Sequence, residues 1–173
     1  MNVTTELVPA LRKLGVAPGS VLVFEAPTLD AETDFGSLLT SLLQAVGPDG
    51  TLVVPTCTPK EGYPKPTFDP ALSPSESGPF SEFFRHQEGV VRSHSPTHSV
   101  AALGPLAAEI TAGHRSATGR PTPWGEGSFG RGSPWDVLAR REACWAGLDV
   151  TWKTSPFISY LCALYAEGKQ GIT

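Results

Sequence analysis

Apolar residues recur along this chain in two rhythms, and the breaks between them fall at glycine and proline. Leu7, Leu11 and Leu14 stand at helical spacing, behind the cap candidates Thr4 and Thr5 and ahead of Gly15 as a stop. Pro9 lies inside that stretch and is expected to delay the helix start. Ser20–Phe24 (SVLVF) is a short unbroken apolar run and predicts a buried strand. Thr33 or Asp34 is placed to cap a helix carrying Leu38, Leu39, Leu42, Leu43 and Val46, stopped by Gly47. Gly47-Pro-Asp-Gly50 is a strong turn signal, and Thr51–Val54 (TLVV) is a second strand-like run.

Strand, helix, strand at this spacing is a βαβ unit, which implies parallel strands and a right-handed crossover. Both strand ends, Phe24–Thr28 and Pro55–Thr58, then share one rim, the place where open α/β sheets bind ligands. Further along, Glu61–Pro79 is proline-rich and without period, a long excursion of the kind that serves as a lid or binding loop. Phe80–Gln87 predicts a short helix before Gly89, and Val100–Leu103 a third strand. Pro105 fits the first turn of a helix over Leu106–Ala112. Ser133-Pro-x-Asp136 opens another helix with a cap, a proline and an acid. Ala143–Leu148 predicts a fourth strand, and Ser155-Pro156 opens a last helix with Phe157, Tyr160, Leu161 and Leu164 on one face. The expectation is one domain over residues 1–173, a three-layer α/β/α sandwich with a mostly parallel sheet.

Composition narrows the function classes. A hydrophobic share of 40% suits a globular core, and a net charge of −4 argues against a nucleic-acid binder, which needs a basic face. Cys57, Cys144 and Cys162 are odd in number and widely spaced, so they form neither a disulfide framework nor a zinc pattern. No apolar signal core opens the chain and no stretch is long enough to span a bilayer, so a cytoplasmic protein is expected.

The densest chemistry lies in Gly89–Gly104 (GVVRSHSPTHSVAALG), where Arg92, Ser93, His94, Ser95, Thr97, His98 and Ser99 crowd together just before an apolar run. Hydroxyls that satisfy backbone groups at a strand entrance would explain part of this; a ligand with phosphates, hydroxyls or amines would explain all of it. Other constellations fail on context. Gly125-Glu-Gly127-Ser-Phe-Gly130 has the spacing of a dinucleotide loop, but Arg120–Trp124 precedes it where a strand is required. Ser128 lacks the G-x-S-x-G setting of a nucleophile elbow, which leaves a serine hydrolase using His98 as a minor alternative. His94 and His98 could face together only on a helix, which Pro96 between them forbids, so no metal is expected. Acyl transfer from a coenzyme thioester to an amine asks for less: a grip on the pantetheine arm and phosphates, an oxyanion donor, and a base such as His98.

Taken together, the chain resembles the aminoglycoside 3-N-acetyltransferase family. LRKLGVAPGSVLVF is similar to the family's opening helix and strand, and LLQAVGPDGTLVVPTCT to its helix, turn and second strand. FDPALSPSESGPFSEFFRHQEGVVRS and PTHSVAALGP resemble its central block, and GSPWDVL and GLDVTWKT its later landmarks. The resemblance implies acetyl-CoA as cosubstrate, no metal, and acetyl transfer to a cationic amine on an aminoglycoside-like acceptor, an antibiotic-resistance activity. It implies coenzyme contacts at Pro55, Thr56, Arg92, Ser93, Thr97 and Ser99, a substrate contact at Ser133, and catalytic roles for His98, His94 and Thr154.

The chain also departs from the family's pattern. Phe24-Glu25-Ala26 stands where the family reads His-Ser-Ser. Of the family's Thr…His…Glu signature only Thr154 remains; the histidine position falls on Phe157 or Ser159 and the glutamate position on Tyr160 or Cys162. The family's C-terminal region is expected to be lacking, and a homodimer is expected to cover the sheet it would leave open. These departures carry the expectation of weakened or lost turnover and the alternative of a non-catalytic CoA-binding or assembly module of the same fold.

Overall fold

The computed structural model describes residues 3–30, 32–58, 68–120, 122, 125, 127–151 and 153–170. Residues 61–67, the first part of the Glu61–Pro79 excursion, therefore lie outside the described residues. Along the chain come α1 (Val3–Lys13), β1 (Val21–Glu25), α2 (Phe35–Val46), β2 (Thr51–Pro55) and α3 (Pro79–Phe84). After them come β3 (Val91–Arg92), β4 (Val100–Leu103), α4 (Ala107–Ala112), α5 (Pro134–Arg140), β5 (Cys144–Gly147) and α6 (Pro156–Gln170).

The five strands form one sheet in the order β3-β4-β2-β1-β5. Side chains alternate across it, as a two-residue period requires. Leu22, Phe24, Leu52, Val54 and Ala101 face one core, shared with Leu7, Leu11, Leu38, Leu42, Phe80 and Phe84 of α1, α2 and α3. Val21, Val23, Val53, Val100 and Ala102 face the other, built with Ile110, Trp135, Leu138 and Tyr160 of α4, α5 and α6. Helices therefore cover both faces, and the three-layer α/β/α class stands.

Asp34 is the cap of α2: its carboxylate accepts from the Ser37 N–H at 3.0 Å and the Ser37 hydroxyl at 2.6 Å. Pro9 does not delay α1, which begins at Val3 and carries the proline inside. Pro9 has no N–H to give the preceding turn, and the burial of Leu7 and Leu11 on either side holds the helix across it.

The sheet is less parallel than the sequence predicts. β1 runs parallel to β2 and β5, but β4 runs antiparallel to both β2 and β3. The cause is β3, too short to show in the hydrophobic pattern. It pairs with β4 through the tight 93–99 turn, and a hairpin reverses direction. The register sets Val100, where β4 begins, opposite Pro55, where β2 ends.

Candidate functional site

That reversal assembles the site. Parallel pairing brings the ends of β1, β2 and β5 to one rim, and antiparallel β4 delivers the histidine-bearing 93–99 turn to the same rim. A cleft of about 290 Å³ opens there, lined by Thr97, His98, Thr154, Ser155 and Ser159. Cys57, Glu76 and Lys153 stand around it. A second cavity of about 400 Å³ lies on the β5 side, lined by Trp145, Asp149 and Phe157, and Ser155 borders both.

His98 is held from several directions. Its carbonyl accepts from the Trp135 indole N–H at 2.9 Å, its own N–H donates to Ser95 Oγ at 3.2 Å, and its ring lies 4.5 Å from that of Phe129. Two of these bonds anchor its backbone and Phe129 packs on its ring, so the residue is largely preorganised before a ligand meets it. Thr97 is tied through its hydroxyl to Ser128 Oγ at 3.2 Å. Thr154 lies on the cleft, and its hydroxyl accepts from the Thr151 N–H at 2.9 Å in the turn that leads into α6.

The other residues named from sequence turn inward. Each nitrogen of the Arg92 guanidinium donates to the protein. Nε reaches Thr56 Oγ1 and Ser99 Oγ, both at 3.1 Å; Nη2 reaches the Thr56 carbonyl at 2.5 Å and Thr58 Oγ1 at 3.0 Å; Nη1 reaches the Pro70 carbonyl at 3.3 Å and the Ser73 carbonyl. Arg92 thus laces the 70–74 segment to the end of β2, with Phe68 at 5.1 Å from its charge. Thr56 and Ser99 are fully buried inside this lacing, and Pro55 is buried at the close of β2.

Ser93 is a buried strut: its Oγ accepts from the Val100 N–H at 2.9 Å and meets His114 Nδ1 at 2.9 Å. Burial lowers the His114 pKa to about 4, so the ring is neutral, and its Nε2–H donates to the Ser128 carbonyl at 3.2 Å. His94 meets Arg115 Nη2 at 2.5 Å and packs edge-on to Phe68, off the cleft lining. Ser133, fully buried, caps the short α5 by accepting from the Asp136 N–H at 3.3 Å.

Sequence reasoning passed over one group. Glu25 closes β1 and is only 5% exposed. Its Oε1 accepts from the Ser155 hydroxyl at 3.1 Å, and the Phe157 amide also points at the carboxylate. Burial dominates these bonds and raises the Glu25 pKa to about 7. None of the ion pairs among the described residues includes it. The signal available was an acid ending an apolar run, which reads equally well as the point where a strand leaves the core. Cys57 beside it is pushed up to about 11, chiefly by burial, so the thiol is protonated.

A family model described as aminoglycoside 3-N-acetyltransferase matches residues 31–161. Over 113 residues the chain is 37% identical to aminoglycoside N(3)-acetyltransferase IV of Salmonella sp, covering 61% of this chain and 41% of that one. Among solved structures, aminoglycoside acetyltransferase AAC(3)-Xa superposes with a TM-score of 0.76 at 25% identity, covering 93% of this chain and 61% of that chain. AAC-IIIb, solved as a binary complex with CoASH, superposes with a TM-score of 0.72 at 24% identity over 91% of this chain and 63% of its own. The chain spans about half the length of the curated relatives it matches. No helix among the described residues is long and apolar enough to cross a membrane.

Proposed function

The chain belongs to the aminoglycoside 3-N-acetyltransferase family, and on that premise we propose that it binds acetyl-CoA at the rim cleft and transfers the acetyl group to an amine of an aminoglycoside-like acceptor. The observation that carries the reading is the convergence of Thr97, His98 and Thr154, far apart in sequence, on one cleft at the strand tips. The thioester is already activated, so catalysis is mainly a matter of position: the amine must meet the carbonyl carbon and the developing oxyanion must meet donors. His98 contacts the reacting centre, and the Thr97 and Thr154 hydroxyls on the same cleft serve as oxyanion donors. Arg92, Thr56, Ser93, Ser99 and Pro55 serve the coenzyme by holding the wall of the cleft in shape. Among the described residues no cluster of metal-ligating side chains occurs, and the reaction asks for none.

The test is titration calorimetry with acetyl-CoA, followed by a thiol-release assay over aminoglycosides and simple amines. Coenzyme binding with thiol release in the presence of an acceptor is expected, and His98→Ala should lower kcat/KM by about 10²–10⁴-fold. Binding without release from any amine supports the second reading, a CoA-binding module of this fold, which the Phe157 and Tyr160 departures favour. Neither binding nor release overturns both. Rapid labelling of a serine by a fluorophosphonate probe would point instead to the hydrolase alternative.

A further inference from the structure

Two departures from the family's pattern meet in space. Glu25, at the tip of β1, has its carboxylate against Ser155 and the amide of Phe157, one of the two residues on which the family's histidine position falls. Resting on the proposed acetyl transfer, we propose that Glu25, acting through the Ser155 hydroxyl, accepts the proton that the acceptor amine loses as it is acetylated.

Several observations point this way. Ser155 borders the cleft, while Glu25 lies behind it at 3.1 Å, so the hydroxyl stands between the carboxylate and any bound amine. The same hydroxyl can receive a proton from one side as it gives its own to Glu25 Oε1. A carboxyl that served only to cap α6 would do so better from water, because a buried charge is costly. Ser155 and the Phe157 amide both donate to Glu25, so they stabilise its ionised form at the place where a base is needed.

The step balances. The amine nitrogen attacks the thioester carbon, the N–C bond forms, and the C–S bond breaks with its electron pair leaving on the CoA sulfur. The nitrogen's surplus proton passes to Ser155 Oγ, and the proton already on that oxygen passes to Glu25. Glu25 returns it through solvent to the departing thiolate, giving the amide and free CoA.

The groups facing this pair are Cys57 from the end of β2, His98 from the 93–99 turn, Glu76 from the segment before α3, and Lys153 and Asp149 from the segment between β5 and α6. An imidazole in the cleft would imitate a buried carboxyl in a rate profile, so the test must separate the two. A carboxyl has almost no heat of ionisation, and its midpoint stays put on warming; an imidazole midpoint falls.

Glu25 is a positioning residue for proton transfer, and the experiment reads a pH profile. The kcat/KM profile of the wild-type chain should carry an acidic limb near pH 7 that does not move with temperature. Glu25→Gln should lower kcat/KM about 10²-fold or more and erase the limb, with acetyl-CoA affinity unchanged. Ser155→Ala should fall likewise, and Ser155→Thr should recover most of the rate. A wild-type rate and limb in Glu25→Gln overturn the assignment and leave the acetyltransferase reading standing. Acetyl-CoA binding by the wild-type chain without thiol release overturns both. Should Glu25→Gln fail to fold, the Ser155 pair decides: loss in Ala with recovery in Thr supports the relay, and full rate in both overturns it.

Discussion

Arg92 Nε lies 3.1 Å from Thr56 Oγ1, and the guanidinium spends its remaining donors on the carbonyls of Thr56, Pro70 and Ser73 and on the Thr58 hydroxyl. A phosphate-gripping arginine holds donors toward solvent; this one is an internal clamp. Arg92→Ala should leave several buried acceptors without donors and cost about 2–4 kcal/mol in urea denaturation. Arg92→Lys should recover little, because an ammonium cannot span acceptors set out for a planar fork. Weak coenzyme binding in Arg92→Ala with undiminished stability would instead make Arg92 a direct phosphate ligand.

Two buried titratable groups give the chain a pH signature of opposing slopes. Glu25 has its folded pKa raised to about 7 from 4.5, so the folded chain binds more protons than the unfolded chain between those values. Its contribution is fully present below pH 4.5 and is lost as pH rises to 7. His114 has its folded pKa lowered to about 4 from 6.5, so its contribution is present above pH 6.5 and is lost as pH falls to 4. Each amounts to roughly 3 kcal/mol, and across their overlap the two nearly cancel. Melting curves of the wild-type chain should therefore be flat in mid-range. Glu25→Gln should expose a stability that rises from pH 4 to 6.5, and His114→Gln one that falls from pH 4.5 to 7.

The contrast between those two groups shows what the sequence could reveal. β1, β2, β4, β5 and the cap at Asp34 were legible because apolar runs and glycine stops are local signals. β3 was not, because Val91 and Arg92 become a strand only through pairing with Ala102 and Ala101. The direction of β4 follows from that pairing, and with it the arrival of Thr97 and His98 at the rim. Glu25 was invisible as chemistry because its burial depends on α6, which folds over it from 130 residues away in sequence. Family resemblance singled out the 92–99 stretch, but it could not say that His98 would face a cleft while Arg92 faced the protein.

Gly78 precedes α3 with φ of +112°, and a Cβ there would lie 2.7 Å from the Pro27 carbonyl oxygen and 2.9 Å from that of Ala26. The neighbouring Ser77 accepts from the Cys57 N–H at 2.8 Å, so this close approach ties the floor between β1 and β2. Gly78→Ala meets both a disfavoured backbone conformation and rigid neighbours. A loss of about 2–4 kcal/mol is expected in denaturant melts. A melt indistinguishable from wild type would show that the two segments can part without cost.

Placing a histidine at Phe157, one of the two positions on which the family's histidine falls, offers the sharpest comparison between sequence logic and geometry. Phe157 stacks on Trp145 with ring centroids 3.9 Å apart and planes 21° apart, and it lines the cavity on the β5 side, not the cleft that holds His98. An imidazole there would inherit that direction. It would also lose part of a stacked aromatic contact, worth on the order of 1 kcal/mol. Phe157→His should therefore lower the melting temperature and leave the thiol-release rate unchanged. The double variant Phe157→His, Glu25→Gln should show the loss expected of Glu25→Gln alone. A rate gain in the single variant, or rescue in the double, would mean that the histidine reaches the acceptor amine from the β5 side and that the reacting centre lies between the two cavities.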